Sequence, residues 1–336
     1  MLSYNYAGLF TLALRLVVGW TYFSAFWRRV FLANKLDPES AGYIGEKFNH
    51  FLPNALGIKP IIEYLVSNPE SLYWAMVSFT IIEGIVGLLF MLGFMTRLMS
   101  IGVFSLAMGI LLGSGWLGTT CLDEWQIGVL GVAAGFTIFF SGGGAISLDY
   151  LLNKQFPQLR TKKWFRLLGY GILPINIRRL RNIVVIGSAG ILGLTLFTNQ
   201  FFHGGVWGTL HNKSVKPKIE LSNINLRSHD ISFEVFRVEG VDVYGSFLIG
   251  ISLENPKGET LLMLDAEDLA AFPESNIHNR YVAKVAPGAH SLIVPLGAKA
   301  QISISDSRLN ELSSGTYTLT LTDISGIQWT GKTTIK

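Results

Sequence analysis

The chain holds a single cysteine, Cys121, inside the run Ser-Gly-Trp-Leu-Gly-Thr-Thr-Cys-Leu-Asp-Glu-Trp-Gln at residues 114–126. One thiol excludes an internal disulfide framework. It leaves two roles, a reactive nucleophile or a small buried apolar side chain. Thr120-Cys121-Leu122-Asp123 has the form of a capping box, with Thr120 as N-cap and Asp123 as the third helical residue. That pattern starts a helix without any chemistry. It also sets Cys121 at the first helical position, where the positive helix end favours the thiolate. Asp123 and Glu124 oppose the thiolate unless a cation stands near. Arg28 and Arg29 offer such cations, and their planar donor forks suit an oxyanion. The competing reading is a snorkelling contact with lipid phosphate.

Two more charges lie inside apolar runs: Arg15 near the middle of the first and Glu83 near the middle of the second. Charges at such depth pair and face a bundle interior. Antiparallel neighbours would bring the two to similar depth, so the expectation is an Arg15–Glu83 pair. It would serve a quinone headgroup or a proton path, or else only fix helix register. Tyr22, and less closely Trp20 and Trp27, would line the same inward face. Trp27, Trp74, Trp116 and Trp125 fall near the ends of apolar runs, as an aromatic belt does. Trp116 and Trp125 also flank the cysteine and are candidate substrate contacts. Gly131 and Gly135 form a small-residue face suited to helix packing.

These residues need apolar helices to position them. The chain is 49% hydrophobic and only 15% charged, with mean hydropathy +0.40, against about 25% charged in soluble domains. Five segments approach the ~20 residues that a bilayer core requires: 6–27, 72–94, 98–115, 126–143 and 182–200. The first lacks the basic start and cleavage site of a signal peptide. Residues 149–181 carry eight basic side chains against one acid, while 28–71 balance, and 116–125 and 201–336 are each net −2. The positive-inside rule then puts the N-terminus, the turn at Arg97 and the 149–181 linker in the cytoplasm. Cys121 and the C-terminal region face outward. Trp164, Phe165, Leu167 and Leu168 give the linker an amphipathic character suited to anionic headgroups. After residue 201, short alternating segments with turn signals at Glu254–Gly258 and Pro287-Gly288 predict an all-β, immunoglobulin-like sandwich, with one short helix at 265–272. No nucleic-acid footprint is present.

The Ser-Gly-Trp-Leu-Gly-Thr-Thr-Cys-Leu-Asp-Glu-Trp-Gln-Ile-Gly run resembles the signature region of the DoxD subunit of thiosulfate:quinone oxidoreductases, in the DoxX-like membrane superfamily. The four-span arrangement of residues 1–150 is similar to that subunit. The fifth span and the β-rich region resemble its partner, DoxA. The resemblance implies a fused chain: a DoxD-like domain over 1–150, a basic linker over 151–181, a fifth span over 182–200 and a DoxA-like domain over 201–336. It further implies oxidation of thiosulfate to tetrathionate outside the cytoplasmic membrane of a bacterium or archaeon, with two electrons passed to membrane quinone. Thiosulfate, quinone and membrane lipids are then the partners, and a homo-oligomer is compatible with the sequence. No iron–sulfur, haem or flavin fingerprint is visible, so no metal or flavin is expected. The roles that follow are a thiosulfonate adduct on Cys121, proton movement by Asp123 or Glu124, sulfonate binding by Arg28 and Arg29, and quinone binding near Arg15, Glu83 and Tyr22. The competing function is a non-enzymatic DoxX-like scaffold whose β-domain binds a periplasmic partner. A transporter would want internal repeats, and a disulfide-forming enzyme would want a second thiol.

Overall fold

The computed structural model describes residues 2–40, 42–118, 123–241, 246–310 and 312–335. The side chains of residues 2–5, 123 and 160 lie outside that description. Two compact units are present, one of residues 1–43 and 73–211, the other of residues 44–72 and 212–336.

The first apolar run forms α1 (Leu2–Phe10) and α2 (Leu12–Trp27), parted only by Thr11. The Thr11 amide still donates to Ala7 O at 3.2 Å, and Arg15 N donates to Thr11 O at 3.0 Å, so the helical ladder continues. The Thr11 hydroxyl also donates back to Ala7 O at 3.0 Å, a bond that bends helices. Past Trp27 the backbone widens into a π-helical turn, Arg28–Leu32. Such turns are rare and concentrate at functional sites. Two short helices, α3 (Ile44–Phe51) and α4 (Lys59–Val66), precede α5 (Pro69–Leu92). Then come α6 (Thr96–Ser114) and α7 (Asp123–Ser141). The linker folds as α8 (Leu148–Gln155) and α9 (Lys163–Leu168), and α10 (Ile177–His203) follows. Four helices, α5, α6, α7 and α10, are long and apolar enough to cross a membrane. The last four of the five expected spans agree with them to within five residues at each end, whereas the first, 6–27, is divided at Thr11 between α1 and α2 and is not among the four.

Glycine sets how closely the helices approach. A Cβ on Gly84 would meet the Phe26 ring at 2.5 Å, on Gly87 the Phe23 amide at 2.4 Å, and on Gly19 the Met91 Cβ at 2.6 Å. These contacts define an antiparallel register of α2 against α5. Gly131 and Gly135 seat α7 on α6 as expected, against Ala107 and against Phe104 and Ser100. Tyr22, Val86, Phe90, Val103, Leu106 and Ile138 close a core among α2, α5, α6 and α7. The central part of α10 is not buried, and it becomes so only at Thr198, Phe202 and His203.

Two buried charges fasten the opposite end of this unit. Asp149 accepts from the Met95 and Thr96 amides, each at 2.8 Å, and from the Thr96 hydroxyl at 2.6 Å. It supplies the cap that α6 lacks from its own residues. Burial pushes its carboxyl up, against the pull of these donors. Arg97 is no free orientation charge. It is buried and donates to the carbonyls of Phe139, Arg166, Gly169 and Gly171. Phe165, expected at a lipid surface, instead packs with Tyr170 in a small core, while Trp164 and Leu167 are exposed.

The second unit is two antiparallel sheets around one apolar core. Its strands are β1 (Lys218–Arg227), β2 (Asp230–Glu239), β3 (Ser246–Glu254), β4 (Thr260–Leu264), β5 (Ile277–Asn279), β6 (Ala286–Pro287), β7 (Leu292–Val294), β8 (Lys299–Ser305), β9 (Gly315–Asp323) and β10 (Gln328–Ile335). One sheet runs β1-β2-β8-β5. The other runs β10-β9-β3-β7-β6, with β4 also on β3. Alternate residues of β8 and β9 are buried, the period of half-buried strands. A single helix, α11 (Ala266–Ala270), starts with a capping box from Asp265 to Asp268. The strand expected at 281–285 is absent, and the chain pairs at β5 and β6 on either side of it. Residues 44–72, assigned from the sequence to the first domain, belong to this unit. Asn49 Nδ2 donates to Gly297 O at 2.6 Å and Asn54 Nδ2 to Val238 O at 2.9 Å. The Tyr281 hydroxyl donates to Glu63 at 2.7 Å, and Val282 N donates to Val66 O at 3.2 Å.

Candidate functional site

Chemistry-bearing residues of the first unit gather in two places. The first is inside the bundle, where Arg29 pairs with Glu83. The π-turn that carries Arg29 continues α2, and Tyr22, seven residues earlier, lies two helical turns away on the same face. The Tyr22 hydroxyl comes within 2.8 Å of where a Gly131 Cβ would be, so the missing side chain makes its room. Thr80, one turn before Glu83, is buried and its hydroxyl has no partner among the described residues. Phe79 lies under the Arg29 guanidinium at 5.8 Å. An ion pair, a phenol and a bare hydroxyl therefore share one apolar interior.

The expected Arg15–Glu83 pair is not formed. The register that sets Phe26 against Gly84 sets Arg15 level with Gly93, whose Cβ would lie 2.8 Å from Arg15 Nη1. Fourteen residues of helix separate Arg15 from Arg29, or ~21 Å of rise. Arg15 instead donates to Gly143 O at 2.6 Å and to Ile146 O, carbonyls just past the C-terminus of α7. A cation suits that end of a helix dipole. Reading both charges as mid-span missed that the first helix extends through Leu32.

The adjacent arginines are not equivalent. Arg29 is engaged by Glu83 and so is not an open anion clamp. Arg28 is exposed and its Nε donates to Ser24 O at 3.3 Å. Trp20 and Trp27 are exposed rather than inward, with Trp27 stacked on Phe31 at 4.5 Å. Trp74 is exposed as a belt residue would be, whereas Trp116 is wholly buried and packs as core.

The second place is the end of the bundle where α6 stops and α7 starts. Cys121 and Thr120 lie outside the described residues, as does the side chain of Asp123, at which described α7 begins. What flanks them is well defined. The ring of His203, at the last position of α10, bonds through Nε2 to Gly115 O at 2.9 Å. Trp125 Nε1 donates to the Thr198 hydroxyl at 3.0 Å. Both ends of the 116–124 stretch are thus tied to the last turns of α10. Gly204, with φ +64°, stops α10 in the left-handed conformation, and the chain returns so that His211 N donates to His203 O at 2.9 Å. Glu124 is half-buried beside this junction. By its place in the sequence His203 is expected near the outer end of the fifth span, where with Trp207 and His211 it could cap an active site. Its cue was a histidine directly before a helix-stopping glycine. Among the described residues no three His, Cys, Asp or Glu side chains group as metal ligands.

The second unit carries a groove of about 580 Å³ between β1 and β10. Glu234 on its floor accepts from Lys299 at 3.0 Å and from Ser222 at 3.1 Å.

Two family models match the chain. One, described as TQO small subunit DoxD, covers residues 10–178. The other, TQO small subunit DoxA, covers residues 202–332.

Proposed function

Since the chain belongs to the DoxD and DoxA families of thiosulfate:quinone oxidoreductase subunits, fused in one polypeptide, we propose that it oxidises thiosulfate to tetrathionate and reduces membrane quinone. The observation that carries the reading is the pairing of two reactive regions in one bundle. One is the junction around the only thiol of the chain. The other is the buried polar cluster of Arg29, Glu83 and Tyr22, suited to a quinone headgroup. Trp125 and Gly131 lie six residues apart on α7, about 9 Å of rise. The described start of α7 and the Gly131 position beside the Tyr22 hydroxyl thus belong to one helix.

In this account the α6–α7 end faces outward and the 149–181 linker faces the cytoplasm. Arg28, exposed and with donors to spare, attracts the thiosulfate dianion. The Cys121 thiolate and the outer sulfur of one thiosulfate form a sulfur–sulfur bond, giving Cys–S–S–SO₃⁻. The two electrons released reduce the quinone, which takes up two protons. A second thiosulfate attacks the sulfur bonded to SO₃⁻, expels the cysteine thiolate and leaves as tetrathionate. The sum is two thiosulfates, one quinone and two protons giving tetrathionate and quinol. Glu124 and Asp123 move protons near the thiol. Tyr22 and Glu83 orient the quinone oxygen, with Arg29 holding the Glu83 carboxyl in place.

The test uses purified protein in detergent with a short-chain quinone and a panel of sulfur oxyanions. Quinone reduction with thiosulfate, at one tetrathionate per quinol, is the expected result. Reduction by sulfite alone, or by no donor, contradicts the reading. The second outcome would favour the scaffold.

A further inference from the structure

The inward face of α5 carries one hydroxyl that the fold does not use. Thr80 lies halfway along this 24-residue helix and is only 1% exposed. Its Oγ1 has no partner among the described residues. A threonine inside a helix has a ready acceptor in the carbonyl four residues back. Thr21, Thr195 and Thr198 all use it, at 2.8 or 2.9 Å. Thr80 does not, so its O–H is left for something the protein itself does not supply. A buried donor left bare is costly, and native interiors hold few of them.

The neighbours of Thr80 narrow what it can serve. Phe79, beside it, and Glu83, one turn on, bring the Arg29 guanidinium to the same stretch of α5. Helix packing fixes the depth of Tyr22 as well. A Cβ on Gly102 would meet Val86, and one on Gly131 would meet Ala107. α6 runs antiparallel to α5, so Ala107, five residues or about 7.5 Å beyond Gly102, stands level with Ile81. The Tyr22 hydroxyl, 2.8 Å from the Gly131 Cβ position, is therefore level with the turn from Thr80 to Glu83. Two O–H groups, one from α2 and one from α5, thus reach a single depth of an apolar interior. A ligand suited to both must accept two hydrogen bonds and be otherwise apolar. A 1,4-quinone is such a molecule, with a carbonyl oxygen at each end of a flat ring and no donor of its own. We propose that the Thr80 hydroxyl donates a hydrogen bond to one carbonyl oxygen of the bound quinone while Tyr22 serves the other, which rests on the reading of this cluster as the quinone site. Thr80 keeps its proton throughout. Its part is to orient the ring and to favour ligands that carry a second acceptor opposite the first.

The test is equilibrium binding of decylubiquinone to the purified full-length protein in detergent. It is read without turnover, as the quinone-induced rise in thermal midpoint across a titration. The proteins compared are wild type, Thr80→Val, Thr80→Ser and Tyr22→Phe. Valine keeps the shape of threonine and lacks the hydroxyl. Because that hydroxyl has no partner in the fold, Thr80→Val should melt at or above the wild-type midpoint when no quinone is added. Its Kd for quinone should rise on the order of tenfold, as loss of one hydrogen bond implies, and Thr80→Ser should bind close to wild type. Wild-type affinity in Thr80→Val, with weak binding by Tyr22→Phe, overturns the proposal and leaves the quinone site standing. Affinity that Thr80→Ser does not restore also overturns it, because shape and not the hydroxyl is then responsible. So does a Thr80→Val protein that unfolds or melts well below wild type without quinone, since the hydroxyl then has a structural partner. If wild type shows no quinone-induced rise, or if neither Thr80→Val nor Tyr22→Phe alters it, the reading of the cluster as the quinone site falls and the proposal with it. If binding follows the expected order but thiosulfate reduces no quinone, the role of Thr80 stands and the thiosulfate reading falls.

Discussion

At the scale of the residue, the buried charges divide by what satisfies them. Glu83 has a cation, Arg15 and Arg97 have carbonyls, and Asp149 has amides. Removing one partner of a buried pair leaves the other charged and alone, at a cost of about 3–5 kcal/mol. Arg29→Met and Glu83→Leu should each lower the thermal midpoint in detergent sharply. The double variant should recover much of the loss, and a double loss equal to the sum of the two single losses would show that the two do not interact. Arg15→Gln should also destabilise, since it abandons loop carbonyls, but it should leave the KM for quinone unchanged. A raised KM would return Arg15 to the quinone site. Arg15 and Glu83 were legible in the sequence as buried, whereas Arg97 and Asp149 read as charges of a cytoplasmic turn and linker. Their partners were not, because partner choice depends on helix register. The register follows from which glycines meet which aromatics, Gly84 with Phe26 and Gly87 with Phe23.

Among the elements, glycines that look alike in sequence are not alike in place. A Cβ on Gly135 would come within 2.8 Å of Phe104 N and Ser100 O, which are backbone and cannot turn away. Gly109, on the α6 helix that Gly135 packs against, meets nothing within 4 Å. Gly135→Ala should cost about 1–3 kcal/mol through overpacking. Gly109→Ala should gain about 1 kcal/mol of helix propensity. Thermal melts of the two variants decide it, and similar melts would refute the packing role. In the β unit, Arg308 beside Asp306 holds that carboxyl down at about 2, against 3.8 ordinarily. A depressed carboxylate stabilises the fold above its unfolded pKa and loses that contribution as pH falls from 3.8 through 2. Asp306→Asn should therefore lower stability slightly near neutrality and flatten the acid limb, so that variant and wild type converge as pH falls through that window. The strands themselves were readable from alternation and turns; β4 and β10 coincide with their expected limits. The 281–285 segment alternates equally well, but its backbone is used elsewhere, with Val282 N bonded to Val66 O and Val285 N to Asn279 Oδ1.

For the whole molecule, the main surprise is which residues build the second unit. Residues 44–72 read as a charge-balanced loop between spans, yet Leu52, Ile62 and Val66 are fully buried with the β strands' unit. Their apolar spacing is too brief to declare a partner, and that partner lies more than 140 residues further on. Residues 212–336 produced alone should therefore be protease-sensitive and aggregate, and supplying 44–72 on a linker should restore a cooperative melt. A stable, cooperative 212–336 fragment would contradict this. The membrane helices and their order were open to reading because bilayer length and hydropathy constrain them strongly. The family match agrees with the motif around Cys121. The account rests most heavily on that thiol. In membranes, Cys121→Ala should reduce thiosulfate-dependent quinone reduction by at least ~10³-fold while leaving the protein folded and able to bind quinone. Turnover near the wild-type rate would contradict covalent sulfur chemistry at Cys121.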